Sequence, residues 1–107
     1  MFKKLNRLSA REKFFEESLN SRFFVLKISQ NNLLHNRFGF VVSKKIDKRA
    51  VVRNSLKRKL RSCLEEYQKD IKPGFDFLFI LKKEAGNKSQ KELCAEVKAG
   101  LIKQKFL

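Results

Sequence analysis

Phe38–Arg61 reads FGFVVSKKIDKRAVVRNSLKRKLR, and its last eighteen residues decide how the rest of the chain is read. Lys44–Arg61 holds nine basic residues and one acid, Asp47, yet Ala50, Val51, Val52, Leu56 and Leu60 interrupt the charge. A disordered basic tail needs no apolar residues; a folded surface does. At about 100° per residue, Val52, Leu56, Leu60, Cys63, Leu64 and Tyr67 fall within roughly 120°, the width of a core-facing stripe. Arg53, Asn54, Lys57, Arg58 and Arg61 occupy the next roughly 140° of the same wheel. The spacing predicts a helix over Ala50–Lys69 that is fastened by its apolar stripe and shows water a basic ladder. Its rungs at 53, 57 and 61 rise about 6 Å per step, close to phosphate spacing along an RNA strand. Like charges at i, i+4 repel, and Glu65 and Glu66 are the only acids on this helix that could pair with them. A face that tolerates such repulsion is a binding face.

The surrounding composition agrees. The 107 residues carry a net charge of +15, of which Arg37–Arg61 supplies +9 and the other 82 residues only +6. Charge focused in this way calls for a polyanionic partner. Hydrophobic residues make up 42% of the chain and eleven are Phe, enough for one modest core, so a single domain over 1–107 is expected. No apolar run reaches the roughly 20 residues a membrane-spanning helix needs, and the start lacks the apolar core of a signal peptide. Cys63 and Cys94 match no zinc spacing. They are expected as reduced thiols, small core residues of a cytoplasmic protein.

Working outward, Ser9 and Glu12 form a capping box for a helix over Ala10–Leu19. Arg22–Ser29 and Arg37–Lys45 alternate as strands and are expected to pair antiparallel across the QNNLLHN loop, which could hold a short extra strand. Pro73-Gly74 is a sharp turn, and Phe75–Lys83 is apolar nearly throughout, as in a strand covered on both faces. Asn87–Lys105 reads as a last helix with Leu93, Val97 and Leu101 in register and Gly100 weakening its final turn. The expected architecture is α+β: a two-layer sandwich of a mostly antiparallel three- to four-stranded sheet with three helices, in the order α-β-β-(β)-α-β-α.

Catalytic chemistry is absent from the sequence. The single histidine, His35, sits in a polar loop without a partner, and the acids lie on helix faces. There is no Gly-rich phosphate loop and no Cys/His metal cluster, so neither a catalytic residue nor a metal ligand is assigned.

The central stretch closely resembles the signature of the bacterial ribonuclease P protein component. That signature is a strand ending in Ser-Lys-Lys, a short loop with Ala-Val, and then Arg-Asn-x-x-Lys-Arg-x-x-Arg. Arg53-Asn54, Lys57-Arg58 and Arg61 match its last part residue for residue. The resemblance extends to Arg7-Leu8, to the Phe-bearing first helix and to the element order. It departs at Asp47-Lys48-Arg49, where many members have a Gly-containing turn, and at Ser18, where the first helix often carries a second aromatic.

The resemblance implies the auxiliary protein subunit of a ribonucleoprotein endonuclease. Its RNA subunit, requiring Mg2+, removes the 5′ leader of precursor tRNA, and the protein alone binds no cofactor. It implies that Lys44, Lys45, Lys48, Arg49, Arg53, Asn54, Lys57, Arg58 and Arg61 hold the catalytic RNA. The single-stranded leader lies in a cleft between the basic helix and the sheet. Phe14, Phe24, Leu26 and Phe38 are the candidate lining of that cleft, with Lys44 and Lys45 at its rim; each Phe suits a core equally well. The resemblance also implies a left-handed βαβ crossover, against the usual right-handed rule. Expected partners are ribonuclease P RNA and precursor tRNA, with no DNA and no membrane. The alternatives are a structural RNA-binding protein of ribosomal type with no role in processing, and a basic amphipathic helix lying on a membrane.

Overall fold

The computed structural model describes residues 17–107. Ser9, Glu12, Arg7-Leu8, Phe14 and most of the expected first helix lie outside the described residues. Four strands, β1 (Glu17–Asn20), β2 (Phe24–Gln30), β3 (Arg37–Val41) and β4 (Phe75–Leu81), accompany two helices, α1 (Ala50–Tyr67) and α2 (Gln90–Lys103). A short 3-10 turn, Lys83–Ala85, follows β4.

The end of the expected first helix is a strand instead. Glu17–Asn20 pairs antiparallel with β2, setting Leu19 opposite Leu26. A tight turn closed by the Ser21 N–H on the Phe24 carbonyl makes this pairing local, and burying Leu19 outweighs the helical propensity of the stretch.

The expected β2–β3 hairpin does not form either. The sheet order is β1-β2-β4-β3: β4 inserts between the two, antiparallel to β2 and parallel to β3. A central strand is flanked by backbone on both sides, and β4 buries Phe77 and Phe79 on the helix side and Leu78 on the other, while Ile80 stays half-buried. The parallel β3–β4 pair requires a crossover, and α1 is that crossover.

Alternation along the strands sorts the side chains onto two faces. Leu19, Phe24, Leu26, Ile28, Phe38, Phe77, Phe79 and Leu81 join Leu56, Leu60 and Leu64 of α1 and Leu93, Val97 and Leu101 of α2 in one core. Both described helices therefore lie on the same side of the sheet. Aromatic pairs repeat the strand register: Phe38 stacks on Phe77 at 5.3 Å and Phe40 on Phe79 at 5.8 Å, with Phe24 edge-on to Phe79 at 5.3 Å. Each such pair adds about 0.5–1.5 kcal/mol beyond its burial.

Gly100 was read as a weak point in α2; the structure gives it a packing role. A Cβ there would stand 3.2 Å from Leu19 Cδ2, so glycine lets α2 come down onto β1. Gly100→Val is expected to destabilise the domain by about 1–3 kcal/mol through overpacking. Urea denaturation followed by circular dichroism measures this, and an unchanged midpoint would show that α2 shifts at no cost.

On the opposite face Asp76 is fully buried in β4. Its carboxylate accepts from Arg37 Nε at 2.8 Å, Arg37 Nη2 at 2.7 Å and Asn31 Nδ2 at 3.0 Å. The guanidinium's hydrogen bonds to Asp76, and that carboxylate's negative charge, hold Arg37 above its ordinary pKa. Asn36 continues the network, accepting from the Phe75 N–H at 2.8 Å and donating to the Lys72 carbonyl at 3.0 Å. Together these bonds tie the β2–β3 loop to the turn at Gly74, whose φ of +90° only glycine adopts readily.

The two cysteines depart from expectation. Cys63 of α1 and Cys94 of α2 are joined by a disulfide with their Cα atoms 5.3 Å apart. Their faces meet because α1 and α2 lie side by side on the sheet, a proximity that a sequence separation of 31 does not reveal.

Candidate nucleic-acid interface

The interface is built where β3 runs out and α1 begins. The loop between them is ordered by Asp47, whose carboxylate accepts from the Arg49 backbone N–H at 2.9 Å and from Arg49 Nε and Nη2 at 3.1 and 3.0 Å. These side-chain and backbone hydrogen bonds from Arg49 hold the Asp47 carboxyl down at about 2. Arg53 braces the same loop, its Nη1 donating to the carbonyls of Asp47 and Lys48 at 3.1 and 2.8 Å. Asp47 therefore does by hydrogen bonding what a glycine would do by conformational freedom.

Lowering of the Asp47 pKa fixes the direction of its pH effect. The folded value lies below the ordinary value of about 4. The loop is therefore fully held above that value and is released only as pH falls through about 2. RNA affinity is expected to show no titration from Asp47 between about pH 5 and 8. Binding titrations across that range check this, and a transition abolished by Asp47→Asn would contradict it.

Beyond the loop the helix carries the predicted ladder. Leu56, Leu60, Cys63 and Leu64 are buried, so the apolar stripe faces the sheet as the wheel requires. Asn54 and Arg58 are exposed, while Arg53, Lys57 and Arg61 are half-buried at the flank. Lys57 and Arg58 have no acidic partner among the described residues. Arg61 lies over the Phe40 ring at 5.4 Å, placing the far end of the ladder against the β3 edge of the sheet. The start of α1 has no side-chain cap and no acid in its first turn. Its positive dipole end thus adds to Lys44, Lys45, Lys48 and Arg49, all exposed. The start of α2, by contrast, is closed by the Ser89–Glu92 capping box.

The structure corrects the cleft lining. Phe24 and Leu26 are 0% exposed and Phe38 3%, so all three are core and cannot stack on a base while the domain is folded. The parity of their strands turns them toward the helices. Phe14 lies outside the described residues.

The other sheet face carries Val25, Lys27, Val41 and Ile80, each half-buried, beside Arg37 and the buried Leu78. Leu78 belongs to no part of the helix-side core. This face, apolar and edged with cations, was missed because the same alternation fits either side of a sheet.

Lys82 and Lys83 were missed too, having been read as the tail of β4. They emerge at the same end of the sheet as Lys44 and Lys45, since Val41 pairs with Ile80 and Ile46 packs against Gly86. Lys82 is partly structural, with its Nζ donating to Asn20 and, at 2.7 Å, to the Ser21 carbonyl. No group of three or more His, Cys, Asp or Glu that could hold a metal ion comes together among the described residues. No helix among them is long and apolar enough to cross a membrane.

The α+β fold, with one cationic helix face and a loop pinned on the same side, is of the class suited to a polyanion. Comparison with known proteins gives that class a family. The Ribonuclease P family model matches residues 2–105, and the chain belongs to that family. It is 34% identical to the ribonuclease P protein component of Geobacillus kaustophilus over 106 residues, 94% of this chain and 84% of that one. It is 51% identical to the corresponding protein of Synechocystis over 47 residues, 44% of this chain and 38% of that one. The match to the Syntrophomonas wolfei protein spans 59% of that relative. Among solved structures, the RNase P protein from Thermotoga maritima superposes with a TM-score of 0.80 at 27% identity, over 91% of this chain and 96% of that one. The Staphylococcus aureus RNase P protein gives 0.77 at 27% identity, over 84% and 82%.

Proposed function

We propose that this chain is the protein subunit of a bacterial ribonuclease P, binding the catalytic RNA and the 5′ leader of precursor tRNA. The observation that carries the reading is the basic face of α1, where Arg53-Asn54, Lys57-Arg58 and Arg61 stand on a helix anchored from its other side. Phosphates take the cations, and Asn54 offers a donor and an acceptor to structured RNA. Hydrolysis belongs to the RNA subunit with its Mg2+; the protein raises the local positive potential and so lowers the magnesium requirement. The leader runs along the second sheet face, over Val25, Val41 and Ile80, with Phe14 contributing from the N-terminal segment. A left-handed sense for the β3–α1–β4 crossover and a cytoplasmic location complete the reading. A ribosomal-type structural role is not favoured, because it does not call for the Arg-Asn-x-x-Lys-Arg spacing.

The test is cleavage of precursor tRNA by a bacterial ribonuclease P RNA at low magnesium, with and without the protein. The protein is expected to restore cleavage and to cut nothing alone; cleavage without the RNA overturns the division of labour. For the leader, Phe14→Ala is expected to weaken precursor tRNA binding to the holoenzyme by about tenfold, as loss of one stacked base would, and Ile80→Ala by less, through lost apolar contact alone. Mature tRNA should bind unchanged, and equal weakening of both tRNAs would place the leader elsewhere.

A further inference from the structure

Cys63 and Cys94 are the chain's two cysteines, and neither is used by the RNA-binding reading. Cys63 is fully buried in the apolar stripe of α1. Cys94 is half-buried and lines a groove of about 560 Å³ between the helices, together with Glu66, Tyr67, Gln90, Lys91 and Lys98. Cys94 is therefore the more accessible of the two cysteines. Lys98, over the Tyr67 ring at 5.3 Å, stands with Lys91 and Glu66 around the same groove.

Disulfides in reducing compartments are rare, and those that occur there are mostly transient or redox-sensing. We propose that Cys63–Cys94 is a reversible clamp between α1 and α2, closed and opened by exchange with a low-molecular-weight thiol–disulfide couple.

In the closing direction the Cys94 thiolate attacks the small disulfide, forming a mixed disulfide and releasing one small thiolate. The Cys63 thiolate then attacks the Cys94 sulfur and expels the second small thiolate. The two protein thiols lose two electrons, which the small disulfide gains, and their two protons end on the two small thiols. Opening is the reverse, beginning at Cys94.

Leu56, Leu60, Leu64, Leu93, Val97 and Leu101 keep the helices on the sheet when the bond is open, so the clamp changes stability and leaves the fold intact. The ladder of Arg53, Lys57 and Arg58 lies outside the stripe that holds Cys63, so the clamp governs how long the free subunit survives while its RNA affinity stays the same.

The experiment equilibrates the full chain with oxidised or with reduced glutathione and reads intact mass, melting temperature and affinity for ribonuclease P RNA. The oxidised sample is expected to be lighter by two hydrogens and to melt about 10–20 °C higher, the scale for closing a loop of this length in a small domain. RNA affinity at 25 °C should agree within about threefold, because the cations are not moved. Cys94→Ser, at the half-exposed position, should melt like the reduced protein under both conditions, and the reduced wild type provides the same comparison without any substitution. Two free thiols persisting in excess oxidised glutathione overturn the proposal. So does a bond that forms without raising the melting temperature, or one whose closure abolishes RNA binding.

Discussion

Replacing Arg53, Arg58 and Arg61 together by alanine is expected to weaken binding to ribonuclease P RNA by about a hundredfold at physiological salt. Each phosphate neutralised contributes roughly 0.7–0.9 to the slope of log K against log[salt], which at about 0.15 M is some four- to fivefold in affinity per contact. The triple variant should therefore also lose about two to three units of slope. The three residues will not behave alike singly. Arg58 is exposed on the helix, so its loss is a pure phosphate effect. Arg53 also holds the Asp47 and Lys48 carbonyls, so its removal loosens the loop that carries Lys44, Lys45 and Lys48. Arg61 lies against Phe40, and its loss also frees the β3 edge. Salt titrations of the three single variants separate these roles. An unchanged slope in all of them would mean that the face is merely solvated.

Asp76→Ala is expected to cost about 2–3 kcal/mol, because its hydrogen bonds are charge-assisted while the Arg37 side chain left behind is 31% exposed and can take up water. In a domain of this size that is a fall of at least about 8 °C in melting temperature. The carboxylate is wholly buried and accepts from Arg37 and Asn31, so alanine leaves three donors aimed at a void. Asp76→Asn keeps the shape but replaces the charge and misdirects one amide, and should fall between. Thermal melts of both variants decide the matter. If Asp76→Ala melts within a few degrees of the parent, water fills the site and the network is not what ties the two loops together.

Neither Asp76 nor the topology around it could be read from local sequence, for related reasons. Period-two alternation identifies a strand but says nothing of its neighbour or of which face is buried. Val52, Leu56, Leu60 and Leu64 were legible because a helix carries its own frame of reference. Phe24, Leu26 and Phe38 were legible as one face but not as the covered face. The apolar run Phe75–Leu81 was legible as a strand, yet that β4 separates β2 from β3 depends on α1 lifting the chain over the sheet. Glu17–Asn20 carried a capping pattern upstream, which says where a helix can start and nothing about where pairing ends it. The cationic site was the most legible part, since charge spacing along one helix is a local property. Lys82 and Lys83, which reach that site only through the β3–β4 register, were not.

The position of β4 sets when the molecule can come into being. On a growing chain β1 and β2 can pair as soon as they emerge, but β3 has no partner until residues 75–81 follow it out. During that interval the most cationic segment is synthesised with no sheet to hold its helix. The parallel pairing that completes the sheet beneath it spans some forty residues, as between Phe38 and Phe77. Loop closure over such distances comes late and is slow. A nascent chain stopped before β4 would therefore offer the ribosome's own RNA a loose polycation, and one stopped after it a shaped surface. Ribosome-bound chains of graded length, challenged with protease at Arg53 and Arg58, should turn resistant only once β4 has cleared the exit tunnel.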